Sequence, residues 1–184
     1  MAYLSLGGLF RIDGNLFIQN HTTAAGTCEV LMASLKQVGG ELKFYQNNLI
    51  DQFNPFVGVL DSVQDLTLDG NFNNGTVFYF GIDLEDMPGT LTVRGNSGFA
   101  GFYVPGPSTS ALVENNADMH GLSLINLPST MSGYLRIEKN PHYSECDALS
   151  WLDQTVAAGQ ENTCENLSSA ECPEGMSGMC DSTE

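Results

Sequence analysis

Five cysteines, three histidines and 22 acidic side chains carry most of the chemistry available to this 184-residue chain. Four of the cysteines, Cys146, Cys164, Cys172 and Cys180, fall in the last 39 residues. That clustering suits disulfides made in an oxidising compartment. A zinc site needs C-x-x-C pairs or interposed histidines. Here 17, 7 and 7 residues separate the four, and no histidine stands among them. Cys28 is left over, unpaired or open to an intermolecular bond. His21, His120 and His142 show no metal-like spacing and read as turn or surface residues. No metal is therefore expected.

The acids give little sign of catalysis. A β-helical lyase or glycosidase needs converging carboxylates, often with a basic partner. Lys43, Arg94 and Arg136 read as each following the first apolar residue of their copy, which predicts one outward basic stripe. Beside Glu41 and Glu138, that stripe reads as charge balance. No G-x-S-x-G, P-loop or dinucleotide fingerprint occurs. The reading is no enzyme and no catalytic residue. The turn "DLEDMPG" (83–89) and the series Asp61, Asp65 and Asp69 offer oxygens to a weakly held calcium ion. Without a twelve-residue calcium loop they read as solvated acids. Sequons at Asn20, Asn74 and Asn166, with a weaker N-x-C at Asn162, mark candidate N-glycans. Apart from such glycans and weak calcium, no cofactor is expected.

The net charge of −16 opposes binding to nucleic acid or anionic membranes. No run approaches the roughly 20 apolar residues of a membrane span. The opening "MAYLSLGGLFRIDG" lacks a basic flank and meets Arg11 and Asp13 too early for a secretory signal. The expectation is a signal already removed, or a chain beginning inside a longer one.

What must position these groups is a repeat. The template apolar-x-apolar-x-x-Asn fits Leu42, Phe44, Asn47; Leu66, Leu68, Asn71; Leu91, Val93, Asn96; Ala111, Val113, Asn116; and Leu135, Ile137, Asn140. A degenerate first copy is Leu16, Ile18, His21. Successive offsets are 26, 24, 25, 20 and 24 residues. Such steadiness is the mark of a solenoid. Apolar residues two apart face one side of a strand. The asparagine three residues on falls at a turn, where its amide can bond backbone or the same residue one rung away. Asn47, Asn71, Asn96, Asn116 and Asn140 thus predict a structural ladder. Glycine precedes several copies, at Gly14, Gly40, Gly89 and Gly133. Between copies, "TVFYFGIDL" (76–84) and "HGLSLINLP" (120–128) read as strands of another wall. "FAGFYVPG" (99–106) reads as filling between coils or as an exposed sticky loop.

The predicted fold class is mainly β: a right-handed parallel β-helix of about six coils with a short C-terminal capping helix and a disulfide-bonded tail. Ser144 and Asp147 form a capping-box variant. Ala148, Leu149, Trp151, Leu152 and Val156 share a helical face, and Gly159 is the stop. One structural domain results: repeats over 1–143, capping helix over 144–160, acidic cysteine-containing tail over 161–184. Cys146 can reach Cys164 across the helix, and Cys172 can close with Cys180; Cys146 with Cys172 remains the alternative. The first rung has no such cap and must meet a further segment, a domain or another copy.

"VGGELKFYQNNLIDQF" (38–53), "LTVRGNSGF" (91–99) and "GYLRIEKNPHYSECDALSWL" (133–152) resemble the receptor L-domain. That right-handed β-helix occurs in the insulin and epidermal growth factor receptor ectodomains, in fungal cell-wall glycoproteins and in secreted microbial proteins. The likeness spans residue 5 to about 165. It departs in lacking the family's N-terminal helix and cysteine, and in varying coil length. It implies the fold and an extracellular or cell-surface location. The expected function is a non-enzymatic structural or adhesive module, self-associating head to tail into a filament or meeting other extracellular proteins or glycans. A ligand-binding receptor ectodomain fragment is the alternative, and a carbohydrate-active β-helix the third reading.

Overall fold

The computed structural model describes residues 2–5, 8–20, 28–31, 34–48, 60–72, 78–82, 84–159 and 161–166. The chain runs through β1 (Ala2–Ser5), β2 (Arg11–Ile12), β3 (Leu16–Gln19), β4 (Cys28–Leu31), β5 (Gln37–Tyr45) and β6 (Leu60–Asp69). Then follow β7 (Phe78–Gly81), β8 (Leu84–Asp86), β9 (Thr90–Arg94), β10 (Phe99–Pro105) and β11 (Ser110–Glu114). β12 (Gly121–Ile125), β13 (Thr130–Met131) and β14 (Leu135–Glu138) precede helix α1 (Glu145–Gln154). β15 (Val156–Ala157) and β16 (Glu161–Asn162) follow it. Among the described residues every strand pairing is parallel, and the strands stack as a β-solenoid of about five turns.

The repeat offsets are the strand register. Leu16, Leu42, Leu66, Leu91, Ala111 and Leu135 stand in one file, and Ile18, Phe44, Leu68, Val93, Val113 and Ile137 in the next. From Leu42 and Phe44 onward both files are fully buried. This ladder wall is built from β3, β5, β6, β9, β11, β14 and β16. A second wall, β7–β10–β12, carries the aromatic core. Its Phe80 packs at 5.7 Å from Phe44 and 6.3 Å from Phe102. A register shift between Phe99 and Gly101 places one extra residue in β10. Phe99 and Phe102, three apart, can then both face inward, while Tyr103 faces solvent. The segment 99–106 is therefore a core strand and not an exposed loop.

The asparagines form one buried chain of hydrogen bonds. Asn96 Oδ1 accepts from the Asn71 backbone N–H at 2.9 Å and from Asn71 Nδ2 at 3.0 Å. Asn96 Nδ2 donates to Leu68 O at 2.9 Å and to Asn116 Oδ1 at 3.0 Å. The same geometry links Asn47 to Asn71, Asn116 to Asn140, and Asn140 to Asn166. Asn166, read from its sequon as a glycan acceptor, is thus a ladder residue. It is buried, and its Nδ2 donates to Ile137 O. A glycan on that nitrogen is incompatible with the rung.

The residue before each ladder position has positive φ: Gln46, Gly70, Gly95, Asn115, Lys139 and Glu165, with Asn20 in the same place one rung earlier. This left-handed bend swings the next side chain into the column. The entry corners carry a different constraint. A Cβ on Gly89 would lie 2.2 Å from both Asp65 Oδ1 and Gln64 O. On Gly40 and Gly133 it would strike the side-chain oxygens of Asn15 and Ser110. Those three oxygens accept the N–H groups of Thr90, Glu41 and Tyr134, one rung on.

Helix α1 begins at the Ser144 cap, whose Oγ accepts Asp147 N–H at 3.4 Å. In chain order it takes the place that β12 holds one coil earlier, between the ladder turn and the short wall. It does not end the column, because the chain continues into β15 and β16 and closes a further ladder rung at Asn166. The solenoid thus extends past the expected boundary at 143. Val156 is on β15 and two-thirds exposed, not on the helical face. The helix stops before Gly159 because Thr155 Oγ1 bonds Pro128 O and Val156 N–H bonds Ser129 O, pulling the chain onto β13.

Replacing Asn96 by Leu strands three buried partners: Asn71 N–H, Asn71 Nδ2 and Leu68 O. At about 1–3 kcal/mol each, the loss is expected to exceed about 3 kcal/mol in chemical denaturation. Gly95→Ala meets only ordinary contacts, the nearest at 3.8 Å, so it is expected to cost about 1–2 kcal/mol through its φ of 61° alone. Gly89→Ala collides with backbone and is expected to cost more than Gly95→Ala.

Candidate functional site

Side chains between the inward files point out from the ladder wall in two rows. One row is Phe17, Lys43, Thr67, Thr92, Leu112 and Arg136; the other is Gln19, Tyr45, Asp69, Arg94, Glu114 and Glu138. The predicted single basic stripe is therefore split. Lys43 and Arg136 share a row, and Arg94 stands in the other, because it follows the second apolar residue of its copy. Each is engaged locally. Arg94 Nη2 donates to Asp69 at 2.9 Å, Lys43 Nζ lies 5.0 Å from the Tyr45 ring centroid, and Arg136 Nη2 donates to buried Glu138 at 2.6 Å. The Asp69 hydrogen bond and charge raise the Arg94 pKa further, keeping it cationic.

A shallow trough of about 430 Å³ opens on this wall, lined by Asn15, Gly40, Glu41, Asp65, Thr67, Thr90 and Thr92. Glu41 and Asp65 are register neighbours, as are Thr67 and Thr92. The surface combines two carboxylates with three threonine hydroxyls on rigid strands. That chemistry can accept and donate hydrogen bonds to a hydroxylated ligand. It is less suited to acid–base catalysis, because Asp65 Oδ1 is committed to Thr90 N–H at 2.7 Å.

The acidic series does not converge on a calcium site. Asp61 pairs with Lys36 at 3.6 Å, Asp65 caps Thr90 and Asp69 holds Arg94. Within 83–89, Glu85 and Asp86 are exposed, and Asp83 lies outside the described residues. Among the described residues no three His, Cys, Asp or Glu side chains gather as a metal site. Sequence reasoning missed one pairing: the His120 and His142 rings stand 5.2 Å apart. The signal was available in the repeat, since each follows its ladder asparagine by a few residues in consecutive coils.

Of the modification candidates, Asn20 is exposed, whereas Asn74 and the ladder position His21 lie outside the described residues. Cys146 is disulfide-bonded, but Cys164 is buried and takes no part in that bond, so the Cys146–Cys164 bridge is not formed. The two sit on different walls: Cys146 opens α1, and Cys164 stands on the ladder wall, where its carbonyl accepts Lys139 N–H. Cys172 and Cys180 lie outside the described residues, as does the Cys28 side chain.

Beneath α1, Tyr143 is buried and its hydroxyl accepts Trp151 Nε1 at 3.0 Å. Burial pushes its pKa up to about 12, against the opposing effect of the Trp151 bond. Comparison with family models, curated proteins and solved structures finds no match to this chain.

The raised Tyr143 pKa means the native state favours the neutral phenol. Its stabilising contribution is complete below pH 10, the ordinary tyrosine value, and is lost as pH climbs through about 12. Over that window wild type is expected to lose about 2 kcal/mol more stability than Tyr143→Phe, read by urea unfolding at stepped pH.

Proposed function

We propose that this chain is a non-enzymatic structural or adhesive module of the extracellular space or cell surface, built to associate through its rungs and its ladder wall. The observation that carries this reading is where the polar side chains are spent. Asn15, Asp65, Asp69, Arg94 and the ladder asparagines each bond the neighbouring rung. They stiffen a column and leave the outward acids to keep it soluble. The disulfide at Cys146 supports an oxidising compartment, and exposed Asn20 suits a glycan.

The repeat supports head-to-tail assembly, because each rung is the template for the next. Among the described strands β16 pairs only with β14. A heterologous contact of that kind does not close and therefore extends as a filament. The resemblance to the receptor L-domain supports a second reading, a ligand-binding ectodomain fragment. The threonine-lined trough is the feature that favours it.

Light scattering across a dilution series, with electron microscopy of the concentrated sample, distinguishes the two. Association is expected to grow with concentration and to yield rods of constant width. A monomer at every concentration that binds an immobilised glycan, and loses it in Thr92→Arg, would replace assembly with the receptor reading.

A further inference from the structure

Consecutive coils bring together two imidazoles separated by 22 positions in sequence. We propose that His120 and His142 form a two-imidazole site for a divalent transition cation, clipping one coil to the next. The ring centroids are 5.2 Å apart with the planes inclined at 36°. An ion held about 2.1 Å from one nitrogen of each ring sits about 3.2 Å from each centroid. Ligand angles between a right angle and a tetrahedral one then place the centroids about 4.5–5.2 Å apart. The observed separation is at the tetrahedral end of that range.

The backbones carrying the rings are fixed. His120 N–H bonds Ala100 O at 2.7 Å in the preceding coil, and the neighbouring Met119 is fully buried. His142 lies between Pro141 and buried Tyr143, whose N–H bonds Asn140 O at 3.1 Å. The rings themselves are on exposed residues, so a cation and its remaining water ligands can reach them. Neutral imidazole suits zinc, copper and nickel, which two nitrogen donors select over magnesium or calcium. The net charge of −16 draws cations toward the whole surface. The site is independent of the trough and of any assembly.

Nickel(II) titrated into the full chain is the probe, followed by calorimetry and by the imidazole proton resonances. One ion per chain is expected to saturate, broadening the His120 and His142 signals together. Each of His120→Gln and His142→Gln is expected to weaken binding at least tenfold with an unchanged circular dichroism spectrum. Broadening of only one of the two rings, undiminished affinity in either variant, or the lack of saturable binding would overturn the site. Cysteine-bound nickel would be recognised by its survival in both variants.

Discussion

The structure depends on the need of a buried amide to meet all its hydrogen-bonding partners. Each ladder asparagine from Asn47 to Asn140 gives one Nδ2 hydrogen to a carbonyl of the preceding rung and the other to the next amide oxygen. That oxygen also receives the backbone N–H. The bonds all run in one direction along the column, so neighbouring dipoles reinforce one another. Aspartate would supply the acceptor without the donors, and glutamine would overreach. A corner made this way closes only when another rung lies beneath it, which makes the coils interdependent and the stack cooperative.

Two backbone conditions make the ladder geometry reachable. A left-handed residue bends each rung just before its asparagine, and a residue without a Cβ opens several rungs where an oxygen of the coil before occupies the space. The first condition is conformational and tolerates side chains at a cost, as Gln46, Lys139 and Glu165 show. The second is steric: Gly40, Gly89 and Gly133 abut an oxygen at 2.2 Å or less from a hypothetical Cβ. The ladder is therefore held from both ends in the rungs of β5, β9 and β14. Inside it, apolar files and a T-shaped phenylalanine cluster supply the burial that no single coil could achieve.

The outer surface follows from that interior. Parallel register converts a periodic sequence into rows, so a charge in one copy stands beside whatever the next copy carries there. Asp69 beside Arg94, and Glu41 beside Asp65, are consequences of register rather than of local sequence. Most such neighbours hold rungs together. The trough and the His120–His142 pair are places where side chains from successive coils stand together at the surface. A scaffold of this kind presents chemistry by stacking rather than by converging loops.

The repeat offsets read from the chain are the registers of the ladder wall, because a strand's inward residues must meet their counterparts in the next coil to bury them. The sequence by itself therefore determined the solenoid, its core files, five of the ladder asparagines and the helix cap at Ser144. It could not reveal Asn166, since Glu161 and Thr163 replace the apolar pair of that rung: Glu161 Oε1 turns to accept Ala157 N–H, and Thr163 is buried in the core. Nor could it settle the fate of Cys146 and Cys164 or the distance between the His120 and His142 rings, although the repeat already set Arg94 in a different row from Lys43 and Arg136. Those depend on which wall and which row a residue joins. Only the tertiary structure decided them, because neighbours across a parallel stack are set by coil length and corner geometry, 20 to 26 residues away along the chain.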